Sequence, residues 1–412
     1  MVSAKPPATS MTLTPARARL GVSLMFFTNG VLFANLLPRY PEVKAGFGLT
    51  DVAFGVLVMT FPLGALLAAA SSAPLMRRFG TRAVNAVGSV LLAAVLALAG
   101  GSPTVWLFGA LLVLAGTIDA IVDSAQNVQG VIVEEWRGRS IMNSLHAIWS
   151  LGATVGGLIG TACAAAVIPL QTQLIVNGSV WALVALAAAH LSATPHDTVR
   201  AAQQESPEAD GDAAAGVRST DRADARLSGP RPWRLLAPLV VLAICGTLQE
   251  EFANSWAALY VARETTAPAT IAGLGFTIVL ASQFVGRLLG DPMTDRWGRN
   301  AVARAGGLLI AVGVVAAMAP LPFPVTLLGF ALIGLGSATL VPAAFAAAAR
   351  VPGLPHGTGI AYLGWLMRLG FLVTSPLIGL ISEAGGLRLA LVVPLTAGLI
   401  AAAIAHRLAT RS

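Results

Sequence analysis

Residues 78–84 read RFGTRAV and residues 296–302 read RWGRNAV, at an offset of 218 residues. Each of these seven-residue segments places a glycine and basic side chains shortly after an apolar run. Two other pairs of segments match at nearly the same offset: 33–35 with 252–254, and more loosely 150–152 with 368–370. Three matches at one spacing predict a duplicated unit.

The chain contains twelve apolar runs, and each of these two segments lies between two of them. Of the 412 residues, 56% are hydrophobic and 11% are charged, and the mean hydropathy is +0.77, whereas a soluble domain carries about 25% charged residues. A helix of about 20 apolar residues crosses the hydrocarbon core of a bilayer. The composition excludes a water-soluble fold and predicts an all-α polytopic membrane protein, with twelve transmembrane helices in two pseudo-symmetric six-helix bundles. The runs cover 20–37, 51–75, 83–101, 104–131, 141–169, 173–192, 234–262, 269–291, 301–319, 325–349, 358–382 and 388–406.

A polar stretch separates the sixth run from the seventh. It carries seven acidic residues, five arginines and almost no bulky hydrophobic side chains, so it cannot bury enough apolar area to fold alone. We expect an N-terminal tail at 1–19, a bundle at 20–192, a flexible linker at 193–233, a second bundle at 234–406 and a tail at 407–412. The first run lacks the cleavage pattern of a signal peptide and is expected to be retained.

The basic residues predict the orientation. With twelve spans both termini share one side, and that side collects twenty of the 26 Lys and Arg residues, against four on the other side. The positive-inside rule therefore predicts cytoplasmic termini and a cytoplasmic linker in a bacterial-type inner membrane. Because the +7 charge lies between membrane spans, it does not indicate binding to nucleic acid.

A duplicated bundle favours transport, because a cavity at the interface of the repeats can open alternately to each side. The sequence has no phosphate-binding loop, so the energy must come from an ion gradient or from the gradient of the solute. Cys163 and Cys245 lie in apolar runs without the spacing of a metal site. We expect no cofactor, and a monomer in the bilayer that binds a small solute and protons.

Acidic residues inside the runs are candidates for proton coupling, since a charge at membrane depth is costly and marks a functional site. Asp119, Asp123 and Asn127 repeat every fourth residue and share one helix face. Two carboxylates this close in poorly hydrated surroundings do not both ionise easily. Glu250 and Asn254 repeat the spacing of acid and amide. His146 adds a group suited to proton transfer.

Other intramembrane charges need partners. Glu251 points about 100° away from Glu250 on an ideal helix and is expected to face a neighbouring span. Arg287 and Asp291, four residues apart, are expected to pair with each other. Arg368 lies too deep to reach the interface easily, and we expect it to pair with Asp123 or Glu250.

Amide, aromatic and basic side chains within the runs could contact a polar solute, since amides supply directed hydrogen bonds and aromatic faces stack on rings. The candidates are Asn29, Asn35, Gln126, Asn127, Trp149, Asn254, Trp256, Tyr362 and Arg368.

The segment from Asp291 to Asn300, read as DPMTDRWGRN, resembles the signature loop of the major facilitator superfamily, Gly-x-x-x-Asp-Arg-x-Gly-Arg-Arg. Asp291 stands where the family has its first glycine, and in the first half Arg77 stands where the family has aspartate. The resemblance implies that ion pairs of these loops close one gated state. The gating candidates are Arg78, Gly80, Arg82, Arg287, Asp291, Asp295, Arg296, Gly298 and Arg299.

Within that superfamily, segments 123–130, 145–152 and 250–256 resemble the YbjJ-like bacterial inner-membrane transporters and, more distantly, the fucose/proton symporters. The fucose symporters use an acidic-x-x-x-Asn element for proton coupling, so the resemblance implies that role for Asp123. We therefore expect a secondary active, proton-coupled transporter of a small polar solute, with sugar-like solutes among the candidates.

Two alternatives stay open at this point: a proton-driven exporter of a metabolite or drug, and a membrane sensor that does not transport. A membrane enzyme is disfavoured, because four of the five histidines lie at or beyond the ends of spans.

Overall fold

A computed structural model describes residues 13–68, 71–138, 141–195, 232–348, 350–352 and 358–405. Within these ranges all regular structure is helical. Most of the predicted linker, the first twelve residues and the predicted C-terminal tail lie outside the described residues.

The helices before the linker follow the first six predicted runs. Span 1 begins after Thr14, whose side chain accepts a hydrogen bond from the backbone N–H of Arg17 at 3.3 Å. A 3₁₀ turn, Leu37–Arg39, and a short helix, Tyr40–Gly46, connect spans 1 and 2. The spans are Pro15–Ala34 (span 1), the pair Asp51–Leu67 and Ser72–Phe79 (span 2), Thr81–Gly100 (span 3), Val105–Arg137 (span 4), Met142–Ala165 (span 5) and Leu170–Leu191 (span 6).

The helices after the linker follow the other six runs, and several are interrupted. A 3₁₀ turn, Ala269–Ile271, separates spans 7 and 8. The spans are Pro232–Phe252, Ala253–Ala257 and Ala258–Glu264 (span 7), Leu274–Trp297 (span 8), Arg299–Met318 (span 9), Phe323–Ser337 and Leu340–Ala348 (span 10), Thr358–Leu366 and Arg368–Gly385 (span 11), and Leu387–Ala390 and Val392–Ile404 (span 12).

Length and composition agree with the membrane prediction. Ten helices of the described residues are long and apolar enough to cross a bilayer, and the bent pair of span 2, inclined by 55°, raises the number to eleven. The apolar part of span 8, Leu274–Gly290, is shorter. Each of the twelve predicted runs thus coincides with one span.

The two repeated segments, 78–84 and 296–302, have the same backbone conformation at their glycines. Gly80 has φ 82° and ψ 152°, and Gly298 has φ 80° and ψ 153°. Positive φ of this kind is open to glycine at little cost, and each glycine ends one helix and begins the next at equivalent places. The geometry supports the duplication read from the sequence.

Packing within each half is extensive, and the halves meet along two pairs of spans. Span 1 packs against spans 5 and 6, and span 9 packs against spans 10 and 12. Between the halves, span 2 packs against span 11 and span 5 against span 8. We call the face where span 1 begins the terminal face and the opposite one the distal face.

The closest approach of the halves lies towards the distal face. A Cβ atom on Gly379 of span 11 would lie 2.5 Å from the carbonyl oxygen of Asp51 in span 2. A Cβ atom on Gly157 of span 5 would lie 2.8 Å from the ring of Phe276 in span 8. Glycine at these positions allows the two halves to approach closely, with backbone against backbone at Gly379, so the distal face is closed.

Candidate functional site

Asp119 of span 4 is tied to spans 1 and 5 through Asn29. The Asn29 Nδ2 donates to Asp119 Oδ1 at 2.8 Å, and Trp149 Nε1 donates to Asn29 Oδ1 at 2.7 Å. Asn29 is 2% exposed. The structure thus brings two predicted solute-binding side chains onto one predicted proton-coupling acid.

Asp123 lies one turn nearer the terminal face and is exposed. Its Oδ1 accepts hydrogen bonds from Gln126 Nε2 at 3.2 Å and from Asn127 Nδ2 at 3.1 Å. The exposed imidazole of His146 interacts electrostatically with Asp123 and packs edge-on against Phe26, with ring centroids 5.4 Å apart. Asp123 and His146 are the exposed members of this group, whereas Gln126 is fully buried.

Arg287 of span 8 joins the two halves. Its Nη2 lies 2.7 Å from Glu250 Oε1, and Gln283 Nε2 donates to the same oxygen at 2.8 Å. Its Nη1 donates to the Ser150 hydroxyl of span 5 in the other half. His146 interacts electrostatically with both Glu250 and Arg287, so this ion pair and the span 4 acids form one charged cluster.

The expected pairing of Arg287 with Asp291 stays a prediction. The guanidinium binds Glu250 of span 7, because helix packing brings that carboxylate to it. The side chain of Asp291 lies outside the described residues. A spacing of four residues shows which side chains share a face, and it does not show what an adjacent helix offers.

This conformation does not show the expected pairing of Arg368 with Asp123 or Glu250. Its Nη1 donates to the carbonyl oxygen of Ala65 in span 2 at 3.0 Å. This bond crosses from span 11 to the N-terminal half, and Glu250 is occupied by a different arginine. A backbone carbonyl therefore takes the place of the expected carboxylate.

Span 7 departs from a regular helix directly after its two acids, where Ala253–Ala257 form a π-helical turn. Such turns occur frequently at functional sites. Glu251 precedes the turn and is 4% exposed. Its Oε1 accepts hydrogen bonds from the hydroxyls of Ser255 and of Ser375 in span 11, both at 2.6 Å. The sequence does not mark Glu251 as part of the site, because no local pattern of residues reports the π-helical turn.

A cavity of about 20 Å³ lies between the halves in front of Glu251, which is enough for about one water molecule. The N-terminal half lines it with Phe33, Tyr40 and Phe61, and the C-terminal half with Glu251 and Asn254. The rings of Phe33 and Phe61 lie 5.1 Å apart. Asn254, predicted to bind solute, thus reaches the interface of the halves.

Two predicted solute-binding residues serve packing. Trp256 is fully buried, donates to Ser375 Oγ at 3.2 Å and contacts the ring of Phe54 edge-on at 5.2 Å. Asn35 donates to two carbonyls of span 1, and Gln173 of span 6 donates to its carbonyl oxygen at 2.8 Å. Asn35 was expected to contact a solute. That expectation is wrong, because its side-chain amide binds carbonyl oxygens in the last turn of span 1.

Tyr362 lies away from the central cluster. Its side chain is exposed and contacts the ring of Trp233 edge-on at 4.8 Å. Both rings belong to the terminal ends of spans 7 and 11. An aromatic pair in this position suits a membrane interface, and the expected contact with solute is not what the structure shows.

The predicted gating loops stay with their own halves. Arg78 and Arg296 each lie over the aromatic ring of the next residue, at 5.2 Å and 5.9 Å. Arg82 donates to a carbonyl oxygen at the end of span 6 at 2.8 Å. Asp295 is exposed and Arg299 is half-buried. Ion pairing of these loops across the halves therefore stays a prediction for another state.

A network of charged and polar side chains at the distal face links the halves through Asp51. The sequence patterns did not predict it. Its Oδ1 lies 2.6 Å from Arg263 Nη1 and 3.1 Å from Lys44 Nζ, and its Oδ2 accepts a hydrogen bond from Ser382. Glu383 accepts from the backbone N–H of the residue after Asp51 at 2.9 Å. Lys44 and Arg263 are two of the four basic residues that the sequence places on the side opposite the termini. Basic residues are rare on that side, and this rarity could have indicated that these two have acidic partners there.

Within the described part of the chain, no three His, Cys, Asp or Glu side chains gather in a way that could hold a metal ion. Cys163 and Cys245 are free thiols.

Comparison with known sequences gives relatives of similar length. The chain is 29% identical over 394 residues to an uncharacterised transporter of Sinorhizobium fredii, covering 95% of this chain and 97% of the relative. It is 27% identical to an uncharacterised MFS-type transporter of Yersinia pestis, covering 90% of this chain and 91% of the relative. It is also 27% identical to the membrane protein MosC of Rhizobium meliloti, covering 96% and 90%.

Solved structures show the same fold. The nucleoside transporter NupG superposes with a TM-score of 0.68 at 14% identity, covering 95% of this chain and 98% of that one. A bacterial homologue of the human lysosomal transporter Spinster, inward-facing and occupied, superposes with a TM-score of 0.67 at 16% identity, covering 96% and 97%.

The profile of the Major Facilitator Superfamily matches residues 22–249 and 239–412, which together include most of span 1 and all of the other eleven spans. The superfamily predicted from the signature loops is therefore confirmed, while the YbjJ-like and fucose-symporter subgroups stay predictions. This chain belongs to the Major Facilitator Superfamily and is a multi-pass secondary membrane transporter, not an enzyme.

Proposed function

We propose that this transporter moves a small polar solute of sugar-like chemistry together with protons, by alternating access. The observation that carries the proposal is the position of Arg287, which holds Glu250 in its own half and Ser150 in the other half. Any rocking of the halves must remake these contacts, so the charge state of the cluster and the conformation are coupled.

Protons act on this cluster through its carboxylates. Neutralising Glu250 removes the attraction to Arg287, so that the guanidinium becomes free to bind solute or another partner. Asp119, Asp123 and His146 lie beside the same cluster and supply further groups that take up and release protons. Asn29, Trp149, Gln126 and Asn127 line it with directed donors and one aromatic face.

The orientation follows from the basic residues. The positive-inside rule assigns the terminal face to the cytoplasm. On that assignment the closed distal face is periplasmic, and we infer that this conformation opens inward. In this state the exposed Asp123 and His146 meet cytoplasmic water, where a carried proton is released.

Proteoliposomes with an imposed pH gradient test the proposal. Labelled pentoses, hexoses and nucleosides are offered with the interior alkaline, and we expect at least one to accumulate, with proton influx reported by a trapped dye. The Asp123→Asn and Glu250→Gln variants should lose gradient-driven accumulation. The matched control is Glu135→Gln, which changes an exposed acid at the terminal end of span 4.

Accumulation that ignores the gradient would refute proton coupling. The reverse outcome, solute leaving preloaded vesicles against its gradient, would assign the protein as an exporter. Binding of a solute without any flux would indicate a sensor.

A further inference from the structure

Two neighbouring acids of span 7 have different surroundings. Glu250 is paired with Arg287 at 2.7 Å. Glu251 is 4% exposed and receives two hydroxyl hydrogen bonds, both on Oε1. A buried carboxylate is tolerated as an anion only when it is paired with a cation or richly hydrogen-bonded, so the surroundings of Glu251 suit a neutral acid.

The groups that face Glu251 come from spans 1, 2, 7 and 11 and from the segment after span 1. Span 7 itself contributes Ser255 and Asn254, and span 11 contributes Ser375. The segment after span 1 contributes the buried Tyr40 hydroxyl group, the titratable neighbour. Span 2 contributes only apolar side chains to the cavity, among them Phe61. The side chains lining this cavity include no basic group.

The cover over Glu251 belongs to the opposite half. Phe33, Tyr40 and Phe61 all lie before the linker, whereas Glu251 lies after it. The cavity between them holds about 20 Å³, so closure of the distal face removes nearly all water from the carboxyl group. Separation of spans 2 and 11 at that face would remove the cover and let water reach it.

We propose that Glu251 must take up a proton for the two halves to close at the distal face. The proposal rests on the proposed function and names the group that couples proton binding to closure. Opening towards the periplasm hydrates the carboxylate, and closing returns it to an apolar wall, so closure selects the protonated form. The inward conformation then carries this proton.

Distance measurements between spin labels test the proposal without a solute. Labels are attached at Ala45→Cys and Ala384→Cys, two exposed positions at the distal face in opposite halves, after Cys163→Ser and Cys245→Ala. One linked proton changes the ratio of closed to open molecules by up to tenfold per pH unit. We expect the parent protein to close as the pH falls.

Glu251→Gln imitates the protonated acid and keeps an oxygen for both serine hydroxyls. We expect this variant to stay closed at every pH, and Glu251→Asp to keep a pH response. Glu135→Gln, which changes an exposed acid at the terminal end of span 4, is the matched control and should respond as the parent does.

A parent-like pH response in Glu251→Gln would overturn the inference. If that response accompanies solute uptake that follows the pH gradient, only the role of Glu251 fails. If uptake ignores the gradient in the parent protein, the proposed function fails.

Discussion

The two faces of the transporter are held in different ways. At the distal face the halves are joined by backbone contact between spans 2 and 11 and by the Asp51 network with Arg263 and Ser382. At the terminal face Arg78 and Arg296 contact aromatic rings of their own halves. The distal closure therefore uses side chains that the superfamily signature does not include.

This difference indicates which interactions set the conformational equilibrium. A two-state protein shifts only through contacts that differ between its states. The distal contacts exist in the closed form described here and must break when that face opens. Substitutions at the distal face should strongly change the ratio of closed to open molecules. Substitutions in the terminal loops should affect only the state in which the distal face is open.

The largest effect is expected from Gly379→Ala. The added Cβ atom would lie 2.5 Å from the Asp51 carbonyl oxygen and 3.1 Å from Val52 Cα, and backbone atoms cannot move aside as a flexible side chain does. We expect the distal face to stay open and transport to fall at least about tenfold, equivalent to about 1.4 kcal/mol. Uptake into proteoliposomes and the spin-label distances measure this.

Gly46→Ala is the matched control, since a Cβ atom there meets nothing within 4 Å. In helices alanine is favoured over glycine by about 1 kcal/mol, so a loss in Gly379→Ala cannot come from helix propensity. Equal transport in the two variants would contradict the closed packing of spans 2 and 11.

Asp51→Asn should have the next largest effect. The amide keeps an oxygen for hydrogen bonding but loses the charge that attracts Arg263 and Lys44. We expect a fivefold to tenfold shift from closed to open molecules, about 1 kcal/mol, seen as longer label distances. Glu264→Gln is the control, because its pair with Arg388, 3.6 Å apart, stays within one half.

Raised salt gives a second measurement on Asp51. Arg263 is 40% exposed, so ions screen part of its attraction, and the parent protein should open slightly as salt rises. The variant should respond less. A parent protein with no salt response and a variant with unchanged distances would show that glycine packing alone closes this face.

The spans and the duplication could be predicted from sequence, because apolar length and the repeated Gly80 and Gly298 are local properties of the chain. The acids of the central cluster could also be found, since an ionisable group at membrane depth is rare. Their partners could not. Arg287 pairs with Glu250, and Arg368 donates to a backbone carbonyl. Both contacts depend on how separate helices pack.

Glu251 and Asp51 show a second reason for the limits of sequence. The π-helical turn after Glu251 changes which side chains share its face, and no local signal reports it. Asp51 begins a helix after the capping Thr50, a position in which an acidic residue is favourable in any helix. Its role appears only when the other half contributes Arg263 and Ser382.

The smallest effect is expected from Asp295→Asn in the second signature loop. Asp295 is exposed in the closed-distal state, so its loss should change the unfolding free energy by no more than about 0.5 kcal/mol and leave the label distances at the distal face unchanged. The superfamily resemblance assigns it to a latch at the terminal face, which forms only when the distal face opens. We therefore expect a transport rate lowered by a fewfold with an unchanged melting temperature. A variant that melts earlier, or that changes the distal distances, would mean that Asp295 already supports the state described here and that the two faces are not held independently.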